Sequence, residues 1–248
     1  MCIGMLKTPE QQGIQALHRI REQLKHERTA ALNLVRGVLR EFGVAIPMGA
    51  AKVRAAVLAA LEDGDNDLPM ALRHTLAEQL ERIAGLEREM AAIEDCLQEF
   101  ARRDVTTQRY QQVPGIGLMT ATALRASAGS LDRFRSGRHL SAWLGLVPRE
   151  HSSGTHRRLG RITRRGDTCL RTLLIHGARA VLQAARMKQR RGQALDPLQF
   201  WALDLQQRQG HNKAAVGLAN KLARRLWAIE HHGTRFDPHH VSERSQAR

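Results

Sequence analysis

The chain has 248 residues, 39 Lys plus Arg against 24 Asp plus Glu, and a formal net charge of +15. That length supports one large or two small domains with an adequate core. The charge points to a polyanion partner, and the excess of arginine over lysine suits bidentate phosphate contact. Three cysteines far apart in sequence, Cys2, Cys96 and Cys169, form no Cys-x-x-Cys pair and speak against a disulfide framework or a zinc ribbon. No apolar segment near the N-terminus is long enough for a signal peptide or a membrane span, so a reducing cytoplasm and no membrane partner are expected. Aromatics make up 4% of residues, which favours backbone contact over a base-stacking platform.

Thr8-Pro-Glu-Gln11 reads as a helix start, with Thr8 as N-cap, Pro9 at the first helical position and Gln11 three residues after the cap. Apolar residues from Ile14 to Phe42 continue that helix to about Glu41, where Gly43 and Pro47 stop it. Lys52–Ala60 predicts a short helix, closed by the acidic stretch Glu62–Asp67. This stretch lacks the ligand alternation and distal Glu of a calcium loop and reads as a turn. From 69 to 103 the apolar residues Leu76, Leu80, Ile83, Leu86, Met90, Ile93, Leu97 and Phe100 fall close to an a/d seam. A long helix with so narrow a stripe pairs either with the first helix of its own chain or with a second copy, making a coiled coil and a homo-oligomer.

Val113-Pro-Gly-Ile-Gly117 then leads into a helix ending near Ala128. Pro114 cannot extend a helix, and Gly115 and Gly117 tolerate a tight turn. Either the free N–H groups of the next helix bind phosphate there, as in a helix-hairpin-helix, or the glycines serve close packing. Ser136–Leu146 carries a further helix. Between Arg149 and Arg171 stand seven arginines (149, 157, 158, 161, 164, 165, 171) and only two acids, Glu150 and Asp167. This stretch reads as an open loop ordered by a polyanion. Helices over 167–185, 197–209 and 213–229 follow, then a polar tail holding His231, His232, His239 and His240. No convincing strand longer than four residues is present. The reading is all-α: a helical linker over 1–107 with a coiled coil at 69–103, a compact helical domain over 108–230, and a tail over 231–248.

Val113-Pro-Gly-Ile-Gly, Phe134-x-x-Gly-Arg138, Ala142-Trp-Leu-Gly-Leu-Val-Pro148, Ser152-Ser-Gly154 and Gly160-x-Ile-x-x-x-Gly-Asp167 through Ala178 occur in order and close together. The series resembles the C-terminal domain of insertion-sequence transposases related to the Piv invertase, the bridge-RNA-guided recombinases. The resemblance implies DNA transposition, with DNA and a guide RNA as partners. It places the nucleophile at Ser153, with Ser152 as second candidate, while the glycine turn and the basic stretch themselves point to nucleic-acid contacts at Gly115, Gly117, Arg149, Arg157, Arg158, Arg161, Arg164 and Arg165. It also implies an N-terminal RuvC-like domain whose four acids bind divalent metal. None of the acids here, Asp63, Asp65 and Asp67 included, matches that motif, so the chain reads as a truncated copy that holds no metal cofactor of its own. The alternative reading is a non-catalytic nucleic-acid-binding protein using the Pro114–Gly117 turn.

Overall fold

The computed structural model describes residues 7–46, 49–153, 156 and 158–238. Its helices are α1 (Pro9–Glu41), α2 (Ala50–Glu62), α3 (Met70–Arg103), α4 (Val105–Gln111), α5 (Leu118–Ala128), α6 (Gly137–Trp143), α7 (Thr168–Arg190), α8 (Pro197–Gln209) and α9 (His211–His231). The β-structure among the described residues is one antiparallel pair, β1 (Pro148–Glu150) and β2 (Leu159–Ile162), plus an isolated bridge beyond it. The all-α expectation holds, and the basic stretch expected as loop forms a short hairpin. The chain separates into two compact units, Ala16–Leu97 and the combination of Met1–Gln15 with Gln98–Arg248.

Helix starts follow the capping chemistry. The Thr8 hydroxyl accepts from the Gln11 N–H at 3.2 Å, and the Gln11 side chain accepts from the Thr8 N–H at 3.1 Å, a reciprocal capping box. Asp167 caps α7 by accepting from the Leu170 N–H, Asp196 caps α8 in a second capping box with Gln199, and Pro197 opens α8.

In the Ala16–Leu97 unit, Leu76, Leu80 and Ile83 of α3 are buried with Leu32, Val35 and Leu39 of α1 and Val53 and Val57 of α2. Leu86 and Met90 are buried with Leu24. The α3 stripe is therefore covered from within its own chain. Arg21 pairs with Glu94 at 2.6 Å and Arg28 with Glu87 at 3.4 Å, so residue numbers fall on one helix as they rise on the other, and α1 and α3 run antiparallel. The acidic stretch after α2 is a turn held by Arg73, whose guanidinium donates to the carbonyls of Ala60, Leu61 and Asn66 and whose Nε donates to Leu68 O. Those carbonyls include the last of α2, which have no partner inside the helix.

In the other unit, α9 is the central strut. Its residues Ala214, Ala215, Leu218, Ala219, Leu222, Ala223, Leu226 and Ile229 are buried against a core drawn from α4–α8. Alanines at these positions let neighbouring helices approach closely. The turn at Gly115 also packs main chain to main chain on Gly177 of α7: a Cβ on Gly177 would lie 1.9 Å from Gly115 O. At the far end of α9, the Glu230 carboxylate accepts from the Tyr110 hydroxyl, from Ser130 Oγ at 2.9 Å and from the Leu131 N–H at 3.0 Å. Burial, then the Glu230 charge, push the Tyr110 phenol up from its ordinary pKa, so it stays a donor.

Candidate nucleic-acid interface

The hairpin is fixed at its foot by backbone packing. Gly145 has φ +69° and Gly166 has φ +94°; a Cβ on the first would lie 2.0 Å from Arg165 O, and on the second 1.9 Å from Trp143 O. The end of α6 and the turn before α7 thus touch main chain to main chain, which no larger residue permits. Arg164 N–H donates to Gly145 O at 3.3 Å and Thr163 N–H to Val147 O at 2.9 Å. Arg164 is itself held at φ +55°, a conformation that costs a non-glycine residue roughly 1–2 kcal/mol.

From that foot the strands pair Pro148 with Ile162 and Glu150 with Leu159, with an irregularity between. His151 N–H donates to Arg158 O at 2.9 Å. Near the tip Ser153 and His156 form an antiparallel bridge, exchanging N–H···O bonds of 3.2 and 3.1 Å. Ser152 and Ser153 are both exposed, on opposite faces of the strand. They differ in their partners. The Ser152 hydroxyl donates to Glu150 Oε1 at 2.8 Å and accepts from the Arg158 N–H at 3.2 Å. Ser153 Oγ has no hydrogen-bond partner among the described residues, and its neighbour Gly154 lies outside them.

Of the predicted phosphate contacts, Arg149, Arg158, Arg161, Arg164 and Arg165 are all exposed, and Arg157 lies outside the described residues. Arg149 donates to Thr163 O at 3.3 Å. Of the described ones, Arg161 and Arg164 line a cleft of about 1190 Å³ between the hairpin and α7, α8 and α9. The helices add Arg171, Arg179, Lys213 and Arg224 to its lining, and no Asp or Glu stands among the described residues there. Arg171 is only 8% exposed; it donates to Leu144 O at 3.4 Å and Thr168 Oγ1 at 3.1 Å. No carboxylate pairs with it among the described residues. Arg224 is held below its ordinary pKa, first by desolvation and then by the nearby charge of Arg138. Guanidinium groups kept together without a carboxylate form a site that an anion relieves.

The basic stretch takes in Arg171 but not Arg179 or Lys213, although their spacing carries a signal. Arg171, Ile175 and Arg179 recur every four residues on α7, Trp201, Leu205 and Gln209 do so on α8, and Lys213, Gly217, Asn220 and Arg224 fall on one face of α9.

The glycine turn has two different glycines. Gly115, at φ +84°, serves the close contact with Gly177. Gly117 is exposed, caps α5 without a side-chain bond and has open space beside it. Of the histidines toward the C-terminus, His231 lies 2.9 Å from Asp132 and stacks on Trp227, while His239 and His240 fall outside the described residues. Among the described residues no three His, Cys, Asp or Glu come together to hold a metal, and no helix is long and apolar enough to cross a membrane.

Residues 107–193, from α4 through the hairpin to α7, match the model of the Transposase IS116/IS110/IS902 family. The chain is 44% identical over 234 residues to a probable family 20 transposase of Pseudomonas aeruginosa, covering 94% of this chain and 68% of that one. It is 38% identical to the transposase for insertion sequence element IS1111A of Coxiella burnetii, covering 90% of this chain and 60% of that one. It is 35% identical to the transposase for insertion sequence element IS1328 of Yersinia enterocolitica, over 93% of this chain and 66% of the other. The chain belongs to the IS116/IS110/IS902 transposase family. It spans three fifths to two thirds of the length of these relatives.

Proposed function

We propose that this chain is the strand-joining part of an insertion-sequence transposase of the serine-recombinase type. The observation that carries the reading is the cleft beneath the hairpin, lined by six cations and, among its described residues, no acid. DNA phosphates neutralise Arg161, Arg164, Arg171, Arg179, Lys213 and Arg224, and the bound backbone runs on to the hairpin tip, where Ser153 acts as nucleophile. In that step a bond forms between Ser153 Oγ and phosphorus while one phosphorus–sugar oxygen bond breaks. The seryl proton passes to a base, and the freed sugar oxygen takes up a proton. Arginines beside the phosphate offset its negative charge, which a serine hydroxyl must otherwise approach unaided. Ser153 Oγ, without a hydrogen-bond partner among the described residues, is supported over Ser152, whose hydroxyl already bonds Glu150 and the Arg158 N–H. The family's divalent metal has no fitting donor set among the described residues. No step here runs through it.

A guide RNA is a further partner in this proposal, and so is self-association through the α1–α3 pair, supported by exposed Ile20, Leu34 and Leu58 in that unit. The second reading is non-catalytic, with phosphate bound at the uncapped start of α5 beside Gly117 in a helix-hairpin-helix manner. The experiment is trapping of a covalent protein–DNA adduct, with and without a separately supplied RuvC-like domain. The proposal expects adducts that vanish in Ser153→Ala and persist in Ser152→Ala. Adducts that survive alanine at both positions overturn the serine assignment.

A further inference from the structure

The lining of the cleft is chemically mixed. Besides its cations it presents Trp201, Leu146, Ile175 and Val216. Duplex DNA turns phosphates outward and keeps its base faces stacked inside, so it offers little to an indole and a set of aliphatic side chains. A single strand offers both, charged phosphates and apolar base faces that gain by stacking on an aromatic ring. The volume of about 1190 Å³ slightly exceeds the upper range of pockets that bury drug-sized ligands, which suits a few nucleotides and not a turn of duplex.

We infer that the cleft takes a single-stranded stretch of nucleic acid, with a base stacked against Trp201 and the flanking phosphates on Arg161 and Arg179; this rests on the nucleic-acid reading of the same cleft. Trp201 is preset for that use. The Lys221 ammonium stands 3.9 Å from its ring centroid, an arrangement that holds the indole in place by cation–π attraction. Arg179 is oriented by Asn212, whose side-chain oxygen accepts from it at 3.3 Å, a neutral partner that leaves the guanidinium charge uncompensated. Aromatic residues are sparse in this chain, so a tryptophan among these cations is a notable placement.

The test measures fluorescence anisotropy of the full chain with one mixed-sequence oligonucleotide offered as single-stranded DNA, single-stranded RNA and duplex DNA. Both single strands, or one of them, should bind at least about tenfold tighter than duplex, and the preferred sugar names the source of the strand. Trp201→Leu keeps apolar bulk and removes the aromatic face; it should weaken single-strand binding about tenfold and leave duplex binding within about twofold. Trp201→Phe should restore most of the loss, which a merely structural role for the indole would not produce. Duplex binding equal to or tighter than single-strand binding, or a Trp201→Leu protein that binds single strands normally, overturns the inference while the nucleic-acid reading stands. Failure to bind any of the three overturns both.

Discussion

Gly166→Ala isolates the contact that holds the hairpin over the cleft. The added Cβ would lie 1.9 Å from Trp143 O and 3.1 Å from Trp143 C, and it would do so at φ +94°. Backbone oxygen cannot rotate aside as a side chain can, so the turn before α7 must move by more than 1 Å, judged against an ordinary carbon–oxygen contact of roughly 3.4 Å. Overpacking of this kind costs about 1–3 kcal/mol, and a non-glycine residue at positive φ adds about 1–2 kcal/mol. The total of roughly 2–5 kcal/mol corresponds to a fall in Tm of roughly 5–15 °C for a domain of this size. Thermal unfolding followed by circular dichroism reads that fall, and oligonucleotide binding below the transition reads the displaced hairpin. Gly145→Ala attacks the same contact from the other side, 2.0 Å from Arg165 O, so the double variant should lose less than the sum of the two. A Gly166→Ala protein that melts within 1 °C of the parent would show that the hairpin foot is loose, contrary to the packing described above.

Glu230→Ala removes the acceptor shared by Tyr110, Ser130 and the Leu131 N–H; with a buried donor left unpaired, stability should fall by about 2–4 kcal/mol, and a urea midpoint equal to the parent's would refute the shared-acceptor role. Lys221 is lowered to a pKa of about 8 by desolvation first, then by Arg225 and Arg224. Between about pH 8 and its unfolded value near 10.4 the unfolded chain therefore holds the extra proton, and stability gains a rising component with pH. Lys221→Met should lack that rise, and superimposable stability profiles for the two proteins would contradict the depressed pKa. Gly117→Asp adds a side-chain cap to α5 where there is open space. It should stabilise by a few tenths of a kcal/mol, about 0.3, since glycine is itself a fair N-cap, and leave DNA binding unchanged if the cleft is the site; lost binding would favour the α5 start instead.

Helix positions were legible in the sequence wherever capping and periodicity agreed. Thr8 begins a helix with the expected side-chain bond, and the α3 stripe from Leu76 to Leu97 is buried as its spacing implies, Ile93 partly. The hairpin was hidden because its strands are three and four residues long and are exposed almost throughout, so no alternation of apolar and polar residues marks them. Gly166 reads as a source of flexibility among arginines and turns out to be a packing contact, because backbone-to-backbone approach leaves no trace in local composition. The arginine cluster marked one side of the cleft. Arg179, Lys213, Arg224 and Trp201 come from three separate helices, and only the tertiary fold brings them to one surface.

Contact between the cleft cations and a phosphate backbone is read most directly from the salt dependence of binding. Arg161, Arg179 and Arg224 replaced together by Gln should lower the log–log salt slope of oligonucleotide binding by two to three, at about 0.7 per phosphate for single strands and about 0.9 for duplex, with the fold intact by circular dichroism. An unchanged slope in a folded triple variant would place the nucleic acid elsewhere on the protein.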